Sequence, residues 1–66
     1  MQEIYEGQVY LDTKRDAFYI VLEVCTDKIK TCCFVSGKQG FKETWILDLK
    51  YDAISELTFI KDSFLD

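Results

Sequence analysis

The sequence predicts a small all-β domain, a five-stranded partly open barrel with a short helical turn before the last strand. Three observations carry this. Apolar residues alternate with period two through "AFYIVLEV" (17–24), "IKTCCFV" (29–35) and "TWILDL" (44–49), which is the spacing of strands and not of helices. Polar or glycine-containing breaks separate those runs, Thr26-Asp27-Lys28 as a tight turn and "SGKQGFKE" (36–43) as a longer hairpin loop, so the three read as a meander. Five short strands in a chain of 66 residues favour curling toward closure, because closure limits exposed edges.

Each element follows in order. "GQVYL" gives a short strand at 8–11, and the polar loop "DTKRD" (12–16) leads into the meander. In the first long strand Phe18, Ile20, Leu22 and Val24 share one face, with Tyr19, Val21 and Glu23 on the other. In the second, Ile29, Thr31, Cys33 and Val35 oppose Lys30, Cys32 and Phe34; in the third, Trp45, Leu47 and Leu49 oppose Thr44, Ile46 and Asp48. Trp45 is expected in the core because it alternates with two leucines. The C-terminal "YDAISELTFIKDSFLD" admits two readings. One is a helical turn at 52–55 and a strand at 57–60; the other is a single amphipathic helix capped by Asp52, with Ile54, Leu57, Ile60 and Phe64 on one stripe. The β character of Thr58-Phe59-Ile60 favours turn plus strand.

Gly7, Gln8, Val9, Tyr10, Asp12, Val21 and Val24 resemble the opening of small prokaryotic and phage proteins. Those begin Gly-Gln-Val-(Trp or Tyr)-x-Asp and continue through an arginine-containing loop to a strand ending Val-x-x-Val. The match covers about the first third of the chain, and with the order of elements it resembles the SH3-like barrel. The resemblance implies a fold and no activity, and it suggests a phage origin. It also implies a peptide groove between the loop after the first strand, the loop after the second or third, and the helical turn. The residues there are Tyr10, Tyr19, Phe41 and Tyr51, with Asp12, Asp16 and Asp52 as acids. The sequence departs from peptide-binding members in lacking a paired-aromatic loop motif and a tryptophan opening the third strand.

Charge and composition exclude several functions. Twelve acids against eight bases leave a net charge of −4, and the bases are scattered, so nucleic-acid binding through a basic stripe is disfavoured. No apolar run is long enough to span a bilayer, and the N-terminus lacks the charged and apolar regions of a secretion signal. A cytoplasmic setting is expected. Ten aromatics in a 48% hydrophobic chain supply the core, and folding is expected without a cofactor.

All three cysteines lie at Cys25, Cys32 and Cys33 in a chain without histidine. A structural zinc site wants four nitrogen or sulfur ligands, and neighbouring strand residues point to opposite faces, so Cys32 and Cys33 do not converge on one ion. A disulfide requires Cys25 to sit opposite Cys32, and a cytosolic setting argues for reduced thiols instead. The cysteines read as small apolar side chains and no metal is expected. Without histidine there is no ready general base near neutral pH. Asp12 and Asp16 flanking "TKR" read as a solvated loop, and "SGKQG" lacks the strand-to-helix context of a phosphate loop. The chain is not expected to be an enzyme.

The face opposite the expected core carries Tyr19, Val21, Cys32, Phe34 and Ile46, rimmed by Glu23, Lys30 and Asp48. Such a stripe is either part of the core, where a strongly bent barrel strand contributes to both halves and the C-terminal segment covers the rest, or, where it stays exposed with its charged rim, what a partner surface or homodimer interface looks like. The expected function is therefore a non-enzymatic protein-protein interaction module, read as a phage-encoded modulator or inhibitor of a host protein. Tyr10, Tyr19, Phe34, Phe41 and Tyr51 are its candidate anchors, and Asp12 and Asp16 its candidate steering charges. The alternative is a nucleic-acid mimic or nucleic-acid-binding small barrel, with Asp48, Asp52, Glu56, Asp62 and Asp66 as the phosphate-like array.

Overall fold

The alternation that predicts strands produces five of them. A computed structural model describes residues 3–37 and 40–65, without the side chains of residues 36, 37 and 40–44. The elements are β1 (Val9–Asp12), β2 (Ala17–Val24), β3 (Ile29–Gly37), β4 (Gly40–Leu49), α1 (Tyr51–Ser55) and β5 (Thr58–Lys61). All pair antiparallel in one sheet of order β4-β3-β2-β1-β5. The C-terminal segment is a helical turn followed by a strand, as the β character of residues 58–60 predicts. The sheet stays open and does not close into a barrel. β4 and β5 are its two edges, and β5 has only four residues, too few to run along the ten of β4.

Local chemistry sets the turns. Between β1 and β2, one carboxylate oxygen of Asp12 accepts the backbone N–H groups of Lys14 and Arg15 at 3.0 and 3.3 Å, and Asp16 takes a left-handed φ of 55°, which aspartate tolerates better than most residues. Between β2 and β3, the Cys25 N–H donates to the Lys28 carbonyl at 2.9 Å and closes the turn. Ahead of β1, Gly7 has a φ of 92°. Its N–H donates to the Val21 carbonyl at 2.8 Å and its carbonyl accepts the Phe64 N–H at 2.7 Å, so one residue joins β2 to the C-terminal segment.

The pairing corrects the face assignment of β2. Tyr19 sits opposite Cys33 and Val21 opposite Thr31, but the register then slips so that Glu23 pairs Lys30. Leu22 is the extra residue of a β-bulge, and a bulge exchanges the faces of everything beyond it. Ala17, Tyr19 and Val21 therefore share the core face with Val24, whose partner is Ile29. Phe18 and Ile20 point the other way.

The core consists of Tyr10, Ala17, Tyr19, Val21, Ile29, Cys33 and Ile54, with Ile4, Val35, Leu47, Leu49, Leu57 and Phe59 packed around it. It occupies one face of the sheet, over which α1 lays the 2% exposed side chain of Ile54. Burial of each such aliphatic or aromatic side chain contributes about 1.5–3 kcal/mol. Trp45, expected in the core, is 41% exposed. It shares the core face, opposite Cys33, but on edge strand β4. Among the described residues the two buried polar side chains, Gln8 and Thr31, are both hydrogen-bonded; the Thr31 hydroxyl donates to the Leu47 carbonyl at 2.8 Å.

Candidate functional site

A cleft lies between the segment preceding β1 and the helical turn α1, and Gln8 builds its first wall. The Gln8 side-chain oxygen accepts the Tyr5 backbone N–H and the Tyr10 hydroxyl, both at 2.9 Å, and its amide donates to the Glu3 carbonyl at 3.2 Å. Three groups from the chain end and β1 are thus fixed on one buried side chain. Residues 3–7 are held against the core face as a strap, and the Tyr5 hydroxyl donates to the Glu3 carboxylate at the rim. This bond is the main reason that the Tyr5 phenol is pushed up from its ordinary value.

The second wall is α1 with Leu57. The Tyr51 hydroxyl donates to the Cys25 carbonyl at 2.6 Å, which ties α1 to the β2–β3 turn and sets the ring as a fixed wall. Tyr10 and Phe59, directly paired across β1 and β5, meet edge to face with ring centroids 5.6 Å apart and planes at 69°, a favourable aromatic geometry. Between these walls is a cleft of about 840 Å³, within the range of ligand sites. Apolar side chains form its floor, Glu3 and Asp52 are its charged members, and among the described residues no lysine or arginine lines it. Burial first, and then the charge of Asp62, push the Tyr10 phenol up.

The candidate anchors are divided among several places. Tyr10 and Tyr51 are brought together in this cleft. Tyr51 is 38% exposed, whereas Tyr10 is 5% exposed and serves as floor and core. Tyr19 is also core, because the β2 bulge and register put it on the inner face; it reaches only a smaller depression of about 310 Å³ that Asp12, Arg15 and Glu56 share on the other side of α1. Asp12 is pinned by its turn and by Arg15 at 4.0 Å, and Asp16 is exposed in the same loop. Phe34 is half-buried on the far face of the sheet, and the side chain of Phe41 lies outside the described residues. Glu3, Ile4 and Phe59 line the cleft without having been singled out in the sequence. The acid-apolar pair before Gly7 is their only signal there.

The far face is apolar too, with a different membership from the one alternation predicts. Leu11, Phe18 and Phe34 form one cross-strand row, and Val9, Ile20, Cys32 and Ile46 the next. Phe18 and Ile20 stand where Tyr19 and Val21 were expected. Val9 and Ile20 are buried, while Ile46 is 56% exposed. Cys32 faces Ile20 and Cys25 lies in the turn, so the register excludes the cross-strand pair that a disulfide between them requires. The three thiols are free, and burial pushes that of Cys33 up.

Lysines lie among the acids of the C-terminal quarter. Asp48 pairs with Lys28 at 3.4 Å, Lys50 lies between Asp48 and Asp52 in one shallow depression, and Asp66 is outside the described residues. Among the described residues no three histidine, cysteine, aspartate or glutamate side chains gather as a metal site, and no helix is long and apolar enough to cross a membrane. No family model, curated protein or solved structure matches the chain. The cleft and its chemistry are therefore the basis for a functional reading.

Proposed function

We propose that the protein is a non-enzymatic interaction module that holds an extended segment of a partner protein in the cleft beside α1. One observation carries this reading: a pre-formed cleft of about 840 Å³, apolar on its floor and bordered by Glu3 and Asp52. Hydrogen bonds from Tyr51 and Gln8 already fix its walls, so little ordering entropy is lost on binding. A partner segment gains burial against Ile4, Val24 and Leu57 and is oriented by the rim charges. The succession of strand, loop, meander, helical turn and short strand supports the SH3-like reading of the opening motif. The phage origin that the resemblance suggests is consistent with a modulator that acts by occluding a surface of a host protein. A nucleic-acid mimic is the weaker reading, because Lys28 and Lys50 interrupt the acids that would stand in for phosphates.

Selection from a display library of random peptides tests the proposal. Enriched peptides are expected to lose binding to the Tyr51→Ala variant and to keep it with Ile46→Ser on the far face. Enrichment that survives Tyr51→Ala and disappears with Ile46→Ser would move the site to the far face of the sheet and refute the cleft.

A further inference from the structure

Resting on the interaction reading above, the geometry points to a cationic side chain, best a guanidinium, as the partner group that enters this cleft. We infer it from charge and from the shape of the walls together. Glu3 and Asp52 line the cleft and, among the described residues, no lysine or arginine does; Lys50 lies beside Asp52 in a separate depression. Two carboxylates and no base in the lining give the cleft a net negative rim over an apolar floor. A neutral apolar ligand would fill the floor and leave that rim unanswered.

The walls supply what a desolvated cation needs. Phe59 is half-buried and Tyr51 is 38% exposed, and both rings line the cleft. A guanidinium set over such a ring face is attracted by its quadrupole, at about 0.5–2 kcal/mol. Val24 and Leu57, also in the lining, suit the three-carbon stem of arginine, whose aliphatic part packs on apolar surface while its head meets carboxylates. The planar fork of arginine pairs with carboxylates and stacks on rings at once, which the compact ammonium of lysine does less well. Tyr5 holds the Glu3 carboxylate through its hydroxyl, so one acceptor is in place before a ligand arrives.

The test is a titration of the isotope-labelled chain, followed by amide chemical shifts. The probes are three blocked tripeptides, Leu-X-Leu with X as arginine, lysine or norleucine. The arginine peptide is expected to move the amides of Ile4, Asp52, Ile54 and Leu57 and to bind about tenfold more tightly than the norleucine peptide, a difference of about 1.4 kcal/mol. Its affinity should fall several-fold between about 50 mM and about 500 mM salt, as the screening length shortens. The double variant Glu3→Gln, Asp52→Asn changes two exposed carboxylates isosterically, so its spectrum reports an intact fold, and it should erase the preference for arginine while leaving the norleucine peptide unaffected. Equal binding of arginine and norleucine peptides in the cleft would overturn the cationic anchor and leave the interaction module standing. Peptides that shift only amides of the far face would overturn both.

Discussion

Gln8→Leu tests how the cleft is built. Gln8 is 1% exposed and its side chain makes the three hydrogen bonds that join Glu3, Tyr5 and Tyr10. Leucine keeps much of the volume and removes all three. The Tyr5 N–H and the Glu3 carbonyl belong to a partly exposed strap and recover water, so each loss is near the usual net value of about 1 kcal/mol. The Tyr10 hydroxyl is different, because its bond is buried; stranding it adds about 1–3 kcal/mol. The expected total is about 3–5 kcal/mol, with a fall in melting temperature of at least about 12–24 °C for a domain of this size. Urea unfolding measures it, with an unchanged denaturant slope as the sign of two-state loss. Tyr10→Phe supplies the cycle: the double variant Gln8→Leu, Tyr10→Phe should be more stable than the sum of the single losses predicts, by about 1–2 kcal/mol. Additive losses, or a Gln8→Leu cost below about 1 kcal/mol, would refute the idea that this side chain pins the strap.

Other consequences are separate in origin. Gly7→Ala should destabilise by about 1–2 kcal/mol although an added methyl meets open space, because the penalty comes from the positive φ alone; Gly7→Asn should lose less, and chemical denaturation ranks the two. Both core phenols are held above their ordinary value of 10.0, Tyr10 by burial and Asp62, Tyr19 by burial and Cys33. The unfolded chain therefore releases these protons first, so their contribution to stability is complete below about pH 10 and is lost as pH rises through the folded values; melting temperatures measured upward from neutral pH should fall there, and Tyr10→Phe should soften the fall. Thiol titration should find the half-buried Cys25 and Cys32 reactive in the native protein and the buried Cys33 only in denaturant; three native thiols reacting at one rate would contradict the placement of Cys33.

Period-two alternation at residues 17–24, 29–35 and 44–49 located the three strands of the meander, because strand spacing is local information, but not their ends: residues 36, 37 and 40–43, expected in a long hairpin loop, extend β3 and β4. It did not locate the core face of β2, because the bulge at Leu22 arises from pairing with β3 and leaves no mark in the run "AFYIVLEV". That single residue moves Tyr19 from candidate surface to core and Phe18 from candidate core to the far face. Trp45 follows a related logic. Its neighbours Leu47 and Leu49 pack against the core, but its exposure depends on where α1 and β5 lie over an open sheet, and alternation carries nothing about that. The cleft was half legible. Tyr51 and Asp52 fall at the helical turn where the resemblance implies a groove, while Glu3 and Ile4 enter it only because buried Gln8 draws the strap back across β1.

The most direct measurement is an amide chemical-shift map of the labelled protein with an arginine-bearing peptide taken from the display selection. Recognition beside α1 predicts shifts at Ile4, Val24, Ile54 and Leu57, with Ile20, Cys32 and Ile46 unmoved. Shifts confined to Ile20, Cys32 and Ile46 would place the partner on the far face and contradict the cleft.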